Sequence, residues 1–467
     1  MGIPDISTEA LQVFTANEAF YWELVPWRIE NGHIDCLGKT GHDYTEAESE
    51  IFAIYGYHTR IMTIDDADFT RLISSHYREE TADRLQALDG SDSDIVGKLI
   101  NEAYSMQASD VHLEPAEEKC RVRYRTDGKL IETHIIHKDD YLGLVNRLKI
   151  MANLDISEKR LPQDGRIMYT AGEIRFDIRM SVLPTIHGEK TVLRLLSKNG
   201  KNLSLQELGL DEKQYRDYLN AIMKPHGLIL ISGPTGSGKS TTLYATLERL
   251  NRGDNNILTI EDPVEYTIDG VNQVQLKEDI GLDFPMALRT FLRQDPDIIM
   301  LGEIRDEDTA EMAIRSSLTG HLLLSTLHTN SAWGCIDRLA DMGIHRYLIS
   351  ETLLVCVAQR LVRLLCPSCK RPEDIPERLA SLSDVGQEQK VYARNGCPEC
   401  HYTGYKGRKA IYEVIPVDDT LSNAIREGQQ DIRNYLSEKN IKTLRESAVS
   451  LYLDGLTSLE EIFPLLD

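Results

Sequence analysis

Nowhere in its 467 residues does the chain approach the roughly 18 consecutive apolar residues that span a bilayer, and its N-terminus lacks a charged-then-apolar leader. A cytosolic chain is expected. Low-complexity tracts are missing too, and a composition of 41% hydrophobic and 27% charged residues reads as globular, with length for about three domains. Positive charge is in short supply. The 52 Lys and Arg against 74 Asp and Glu leave a net charge of −22, which argues against nucleic-acid binding by general phosphate attraction and against helicase or packaging roles. Residues 1–94 hold 19 acidic against 6 basic side chains, more than half of that excess. A separate N-terminal module is expected there, either meeting a basic partner or presenting a solvated acidic surface. Disulfide patterning is also lacking. Of eight cysteines, Cys36, Cys120, Cys335 and Cys356 are scattered and four form two tight pairs, which suits reduced thiols plus a metal.

What is present is a phosphate cradle. Gly233-Pro234-Thr235-Gly236-Ser237-Gly238-Lys239-Ser240 follows the apolar run 227–232 and precedes the helix-compatible stretch that starts at Thr241. Glycines let successive N–H groups point inward, Lys239 reaches the β- and γ-phosphates of a nucleotide such as ATP, and the Ser240 hydroxyl can ligate Mg²⁺ at the positive end of the helix. Two further apolar runs, 257–260 and 298–301, end in acids, Glu261-Asp262-Pro263-Val264-Glu265 and Gly302-Glu303-Ile304-Arg305-Asp306. Carboxylates at the carboxyl ends of sheet strands sit where ligands bind in open α/β folds, and can hold a Mg²⁺ water shell or orient an attacking water. A third run, 322–327, carries His321 and His328 on either side.

Organisation along the chain follows from the punctuation. Residues 1–90 mix strand-like pieces, 51–55 among them, with a helix expected near 66–77, and end at the polar stretch 89–94. A second α+β region, 95–200, opens with a helix at Ile95; strands are expected at 121–125, 174–180 and 191–196, with an Asp127-Gly128 hairpin turn. Residues 202–210 read as a linker into a parallel α/β region at 205–365. Cys366-Pro-Ser-Cys369 and Cys397-Pro-Glu-Cys400, 27 residues apart, are knuckles that present four thiolates to one structural Zn²⁺, with the insertion looping out. Unligated thiols or a redox disulfide are the alternatives. This element spans 366–404, and 405–467 follows it.

From about Ser93 to Tyr412 these pieces in order resemble the secretion-superfamily ATPases, those of type II secretion and of type IV pilus assembly. The matching segments are ASDVHLEP at 108–115, YRTDGKL at 124–130, LPQDGR at 161–166, the phosphate loop, ILTIEDPVEY at 257–266, GEIRD at 302–306, TGHLLLSTLHTN at 319–330 and the paired CxxC. The resemblance implies a RecA-like α/β P-loop domain, Gly233 to Thr241 at the nucleotide, preceded by a PAS-like α+β domain and followed by a helical C-terminus. It implies a hexameric ring on the cytoplasmic face of a membrane machine, with inner-membrane platform and adaptor proteins as partners and no nucleic acid. Glu265 then resembles the water-activating base, Glu303 an Mg²⁺-shell ligand, His321 and His328 sensors of the γ-phosphate, and Arg179 and Arg194 charge-neutralising fingers. The two carboxylate roles are open to exchange. Retraction motors of the superfamily lack the tetracysteine element, so its presence points to secretion or pilus assembly. The first 90 residues resemble one copy of an adaptor-binding module, without the repeated motif of relatives that bind a cyclic dinucleotide. The alternative to a motor is a nucleotide-gated scaffold that holds ATP without turnover; Lys239, Glu265, Glu303 and both histidines argue against it.

Overall fold

A computed structural model describes residues 6–466 apart from 12, 15, 31, 67, 70–71, 74–85, 88–93, 172–173, 198–203 and 374–389. Its contacts divide into two units, Met1–Ile167 with Ile178–Leu195, and Met168–Asp177 with Leu196–Asp467.

In the first unit β1 (Leu24–Glu30) pairs antiparallel with β2 (His33–Lys39), which pairs parallel with β3 (His58–Ile64). The parallel pair needs a crossover, and the helix Thr45–Tyr55 supplies it. Residues 51–55, expected as strand, are therefore the last turn and a half of a helix. The reason is spacing: Ala47 and Ile51, four apart, are its buried residues, whereas Phe52 and Ile54 face solvent, and Gly56 ends it in the left-handed region at φ 74°. The helix expected at 66–77 is present at Asp66, Asp68, Phe69, Leu72 and Ile73, and its far end, like most of the polar stretch 89–94, lies outside the described residues.

A second sheet combines β4 (Gln86–Ala87), β5 (Asp110–Pro115), β6 (Lys119–Thr126), β7 (Lys129–His137), β8 (Gln163–Ala171), β9 (Ile174–Thr185) and β10 (Gly188–Ser197) in the order β4-β7-β6-β5-β10-β9-β8. β6 and β7 meet through Asp127 at φ 49° and Gly128 at φ 82°, the two positive values a two-residue hairpin demands. Alternation along β5 puts Asp110, His112 and Glu114 on one face between cationic neighbours. Asp110 stands opposite Arg194 of β10 and Arg125 of β6, and Glu114 opposite Arg121. Nε of Arg194 lies 3.0 Å from Asp110, while Arg123 and Lys190 lie 2.7 and 2.8 Å from Glu114. Burial pushes the Glu114 carboxyl up, but these two cations outweigh it and hold the pKa down at about 2.

The second unit is built on β11 (Gly227–Ser232), β12 (Ile257–Glu261), β13 (Asn272–Gln275), β14 (Ile298–Leu301), β15 (Leu322–Leu327), β16 (Leu353–Leu365), β17 (Arg371–Glu373), β18 (Val391–Ala393) and β19 (Tyr405–Pro416). Its main sheet runs β13-β12-β14-β15-β11-β16-β19, parallel at every pairing except the last. Residues of β11, β12, β14 and β15 are buried throughout, as strands covered on both faces must be. Helices Lys239–Leu250 and Glu307–Leu318 are crossovers, and four helices from Asp419 to Ile462 complete the C-terminus.

Candidate functional site

Because β11, β12, β14, β15 and β16 are parallel, their carboxyl ends share one edge of the sheet, the place where an open α/β fold binds ligand. The phosphate loop leaves β11 there and enters the helix Lys239–Leu250 through Gly238 at φ 89°. A Cβ on Gly233 would lie 2.5 Å from the Gln359 carbonyl oxygen and 2.6 Å from Ser237 Oγ, and one on Gly238 would lie 2.8 Å from Gln359 Nε2. Only glycine fits either position, and β16 forms a wall of the loop.

Lys239 donates to the carbonyl oxygens of Gly233 and Pro234 at 2.7 and 3.1 Å. Burial lowers its pKa, against the attraction of Glu303, and Arg360 adds to the lowering. Ser237 Oγ is buried and has no hydrogen-bond partner among the described residues. An orphaned hydroxyl beside a lysine at a helix N-terminus fits a phosphate oxygen. Ser240 and Thr241 are exposed in the first turn of the same helix. The hydroxyl oxygen of Ser240, with carboxylates at neighbouring strand ends, is the all-oxygen donor set that suits Mg²⁺.

The acids of β12 and β14 meet through a cation. Arg305 pairs with Glu303 by its Nε and with Asp262 by Nη2, the latter at 3.1 Å, and His328 Nε2 lies 3.0 Å from the other Glu303 oxygen. β15, which carries His328 just past its end, lies between β11 and β14 in the sheet, so the histidine bridges the edge from the phosphate loop toward Glu303. Glu265 is exposed, four residues beyond the end of β12.

His321 does not reach this edge. His321 precedes β15 and sits at the amino end of the strand, about 23 Å along the chain direction from His328 at a rise of about 3.3 Å per residue. Its Nδ1 is 3.0 Å from the Ser316 carbonyl oxygen. Arg179 and Arg194 belong to the first unit, and Arg194 is engaged by Asp110 there. Conversely, Gln359 and Arg360 escaped the sequence reading. Arg360 Nη2 donates to the Asn330 carbonyl oxygen at 3.0 Å, and Gln359 accepts from Thr242 at 2.8 Å. They belong to a long strand with no motif of its own, and only the pairing of Ser232 with Ala358 brings them beside the loop.

The two cysteine pairs converge. Cys366 and Cys397 Sγ are 3.8 Å apart, as are Cys369 and Cys400, and all four sulfurs lie within 4.8 Å of one another. A tetrahedron with Zn–S of about 2.3 Å has edges of about 3.8 Å, so the thiolates fit zinc. The antiparallel pair β17–β18 returns the intervening chain to the second knuckle. Cys36, Cys120, Cys335 and Cys356 are buried thiols elsewhere.

Known proteins agree with this arrangement. Residues 88–464 match the family described as Type II/IV secretion system protein. The chain is 46% identical over 406 residues to type II secretion system protein E of Dickeya dadantii, covering 85% of this chain and 80% of that one. It is also 46% identical over 399 residues to the type IV pilus assembly ATPase PilB of Myxococcus xanthus, at 82% and 70% coverage. Among solved structures it is similar to the pilus retraction motor PilT with bound ADP, at TM-score 0.53 and 27% identity over 79% of this chain and 95% of that one. The Legionella pneumophila ATPase DotB shares the fold at TM-score 0.61 and 19% identity, at 82% and 99% coverage. The chain belongs to the Type II/IV secretion system protein family and is one of its P-loop ATPases.

Proposed function

We propose that this chain is the cytoplasmic ATPase of a type II secretion system, acting as a homo-hexamer at the inner membrane and driving pseudopilus assembly through platform and adaptor proteins. The observation that carries the reading is the shared sheet edge, where Lys239, Glu303, His328 and the loop before Glu265 converge beside the phosphate cradle. Similarity to protein E relatives supports secretion over the alternative, pilus extension, which the PilB relative keeps in play. No helix among the described residues is long and apolar enough to cross a membrane, so attachment through partners is the reading that fits.

Gly233 to Thr241 bind the phosphates of ATP, Lys239 neutralises charge on the β- and γ-oxygens, and Ser240 with Glu303 holds Mg²⁺, which supplies further neutralisation of the transferring phosphoryl group. Glu265 takes the proton of the attacking water, and His328 reports the γ-phosphate to Glu303. Arg179 and Arg194, of the first unit, neutralise charge on bound nucleotide, from their own chain or from a neighbour's, and His321, at the other end of β15, contacts the nucleotide or an adjoining subunit. Cys366, Cys369, Cys397 and Cys400 hold a structural Zn²⁺. The working division is an adaptor-binding module at 1–90, a PAS-like domain at 95–200, the ATPase core at 205–365, the zinc element at 366–404 and a helical region at 405–467. Phosphate release by the purified protein, with and without acidic phospholipid, tests the reading. Lys239→Ala should lower turnover by on the order of 10²–10³; wild-type turnover in that variant would remove the phosphate loop from the mechanism.

A further inference from the structure

Glu261, the last residue of β12, is only 4% exposed, yet the acids usually invoked at such a strand end are the exposed ones beyond it. Its carboxylate is held by hydroxyls and an amide. Thr259 Oγ1 donates to Oε1 at 2.6 Å, Gln273 Nε2 donates to the same oxygen at 3.1 Å, and the Tyr244 hydroxyl donates to Oε2. Tyr244 is itself 2% exposed and lies on the helix that begins at Lys239. A phenol has one proton to donate and lone pairs left to accept with. With its proton committed to Glu261, the Tyr244 oxygen accepts the backbone N–H of Glu265 at 3.1 Å. Burial and the Glu261 carboxylate both push the phenol's pKa up, so the proton stays in place at neutral pH.

The same ring meets Tyr266, the residue after Glu265, edge-on, with centroids 4.5 Å apart at 70°. Gln273 adds a second tie. Its Nε2 also donates to the Tyr266 carbonyl oxygen at 3.1 Å, and its Oε1 accepts from Ile268 N at 2.7 Å. The loop is thus fastened at Glu265 and again at Tyr266 and Ile268 beyond it, while the glutamate side chain remains exposed.

We propose that Tyr244 is a positioning residue for Glu265: its hydroxyl, aimed by buried Glu261, fixes the loop that carries the general base to the helix that carries Lys239. The inference rests on the assignment of Glu265 as the base. A group that must meet a water in line with a phosphoryl group loses rate steeply when its loop drifts, on the order of 10²-fold for about 1 Å. Neither Tyr244 nor Glu261 touches the reacting atoms in this scheme; both act through the Glu265 backbone.

The test compares full-length Tyr244→Phe, Glu265→Gln and the double variant by phosphate release, affinity for a non-hydrolysable ATP analogue, and amide exchange over residues 262–268. Tyr244→Phe should lower kcat about 10- to 100-fold with KM and analogue affinity within about twofold of wild type. Exchange over 262–268 should accelerate. The double variant should turn over no more slowly than Glu265→Gln alone, since an anchor for an absent base has nothing left to position. Wild-type kcat in Tyr244→Phe, unchanged exchange over 262–268, or losses that multiply in the double variant would each overturn the proposal. Wild-type turnover in Glu265→Gln would instead overturn the base assignment, and is read without touching Tyr244. Should Tyr244→Phe fail to fold because Glu261 is left charged and short of a donor, Tyr244→Phe with Glu261→Gln removes that charge and carries the same comparison.

Discussion

The two units each gather acids and bases, and they do so by different rules. On β5, β6 and β10 of the first unit the carboxylates are buried, Asp110 at 5% and Glu114 at 8%, and each faces cations set opposite it by strand register. At the sheet edge of the second unit Glu303, Arg305, Asp262 and His328 sit beyond strand ends, half-exposed or exposed, and no register fixes their pairing. Register-locked pairs serve folding. Pairs beyond strand ends can trade partners when a more highly charged group arrives. A γ-phosphate with Mg²⁺ would compete for Arg305, His328 and Glu303 at little cost in fold stability, whereas nothing can compete for Glu114 without opening a sheet.

The comparison breaks most visibly if matched substitutions fail to separate the two roles. Glu303→Gln should lower turnover by about 10²-fold or more while the melting temperature stays near wild type, because the amide keeps the shape and loses the charge. Glu114→Ala should do the reverse. Leaving Arg123 and Lys190 without their shared acceptor costs about 2 kcal/mol of stability, with turnover per folded molecule largely retained. Calorimetry beside phosphate release decides, and a Glu303→Gln protein that melts early but turns over normally would reverse the assignment.

Arg194 stands where the two rules meet, since it is paired with Asp110 in register yet its side chain is 61% exposed. If it also serves as a finger on nucleotide, Arg194→Ala loses on the order of 10²-fold in turnover with little change in melting. Mixing Arg194→Ala with Lys239→Ala chains, each inactive alone, should restore activity in confirmed mixed rings if the arginine acts on a neighbour's phosphate loop. Continued inactivity would return Arg194 to the ladder or to its own chain.

The four-cysteine cluster sharpens the contrast as a candidate metal site with neither register nor exchange. One zinc per chain is expected by elemental analysis of protein purified without chelator. Replacing Cys366 with Ser should release it and loosen the region from β16 onward, with analogue binding at the phosphate loop retained. Protein that carries no zinc would refute the assignment outright.

Much of this division was legible beforehand, and the exceptions share a cause. The phosphate loop, the acid-ended strands, the Asp127-Gly128 hairpin and the cysteine knuckles are each local: a few adjacent residues specify the geometry, so sequence alone finds them. Residues 51–55 misled because a short apolar run suits a strand and a helix end alike, and only the burial of Ala47 with Ile51 decides. Gln359, Arg360 and Tyr244 were missed, and Glu261 was read only as one acid of its strand end, because the partners that give them a role lie outside the local motif. Thr242 reaches Gln359 across 117 positions, a proximity created only when β16 docks beside β11. His321 shows the converse, since seven positions along an extended strand separate it from His328 more widely than their shared segment suggests.

The smallest predicted effect concerns pH, and it sets one carboxylate of each unit against the other. Glu114 is held down at about 2 against an ordinary value of 4.5, because Arg123 and Lys190 outweigh burial. A depressed folded-state pKa contributes stability that is present above about 4.5 and lost as pH falls toward 2. Glu413 of β19 is as well buried, at 6% exposed, but accepts mainly backbone N–H groups, from Ala332 at 2.8 Å and Leu444 at 3.2 Å. Burial dominates there and raises its pKa. Its sign is opposite: the protonated form is favoured in the folded chain, and that contribution disappears as pH rises through the folded value. Acidification should therefore weaken the first unit through Glu114, while the Glu413 contribution is retained. Thermal melts from pH 7 to pH 3 should show the early loss, and Glu114→Gln should flatten it, while Glu413→Gln should leave that acid limb in place. An acid limb unchanged by Glu114→Gln would show that the register-locked ladder contributes nothing pH-dependent to folding, and the contrast between the two units would then rest on turnover alone.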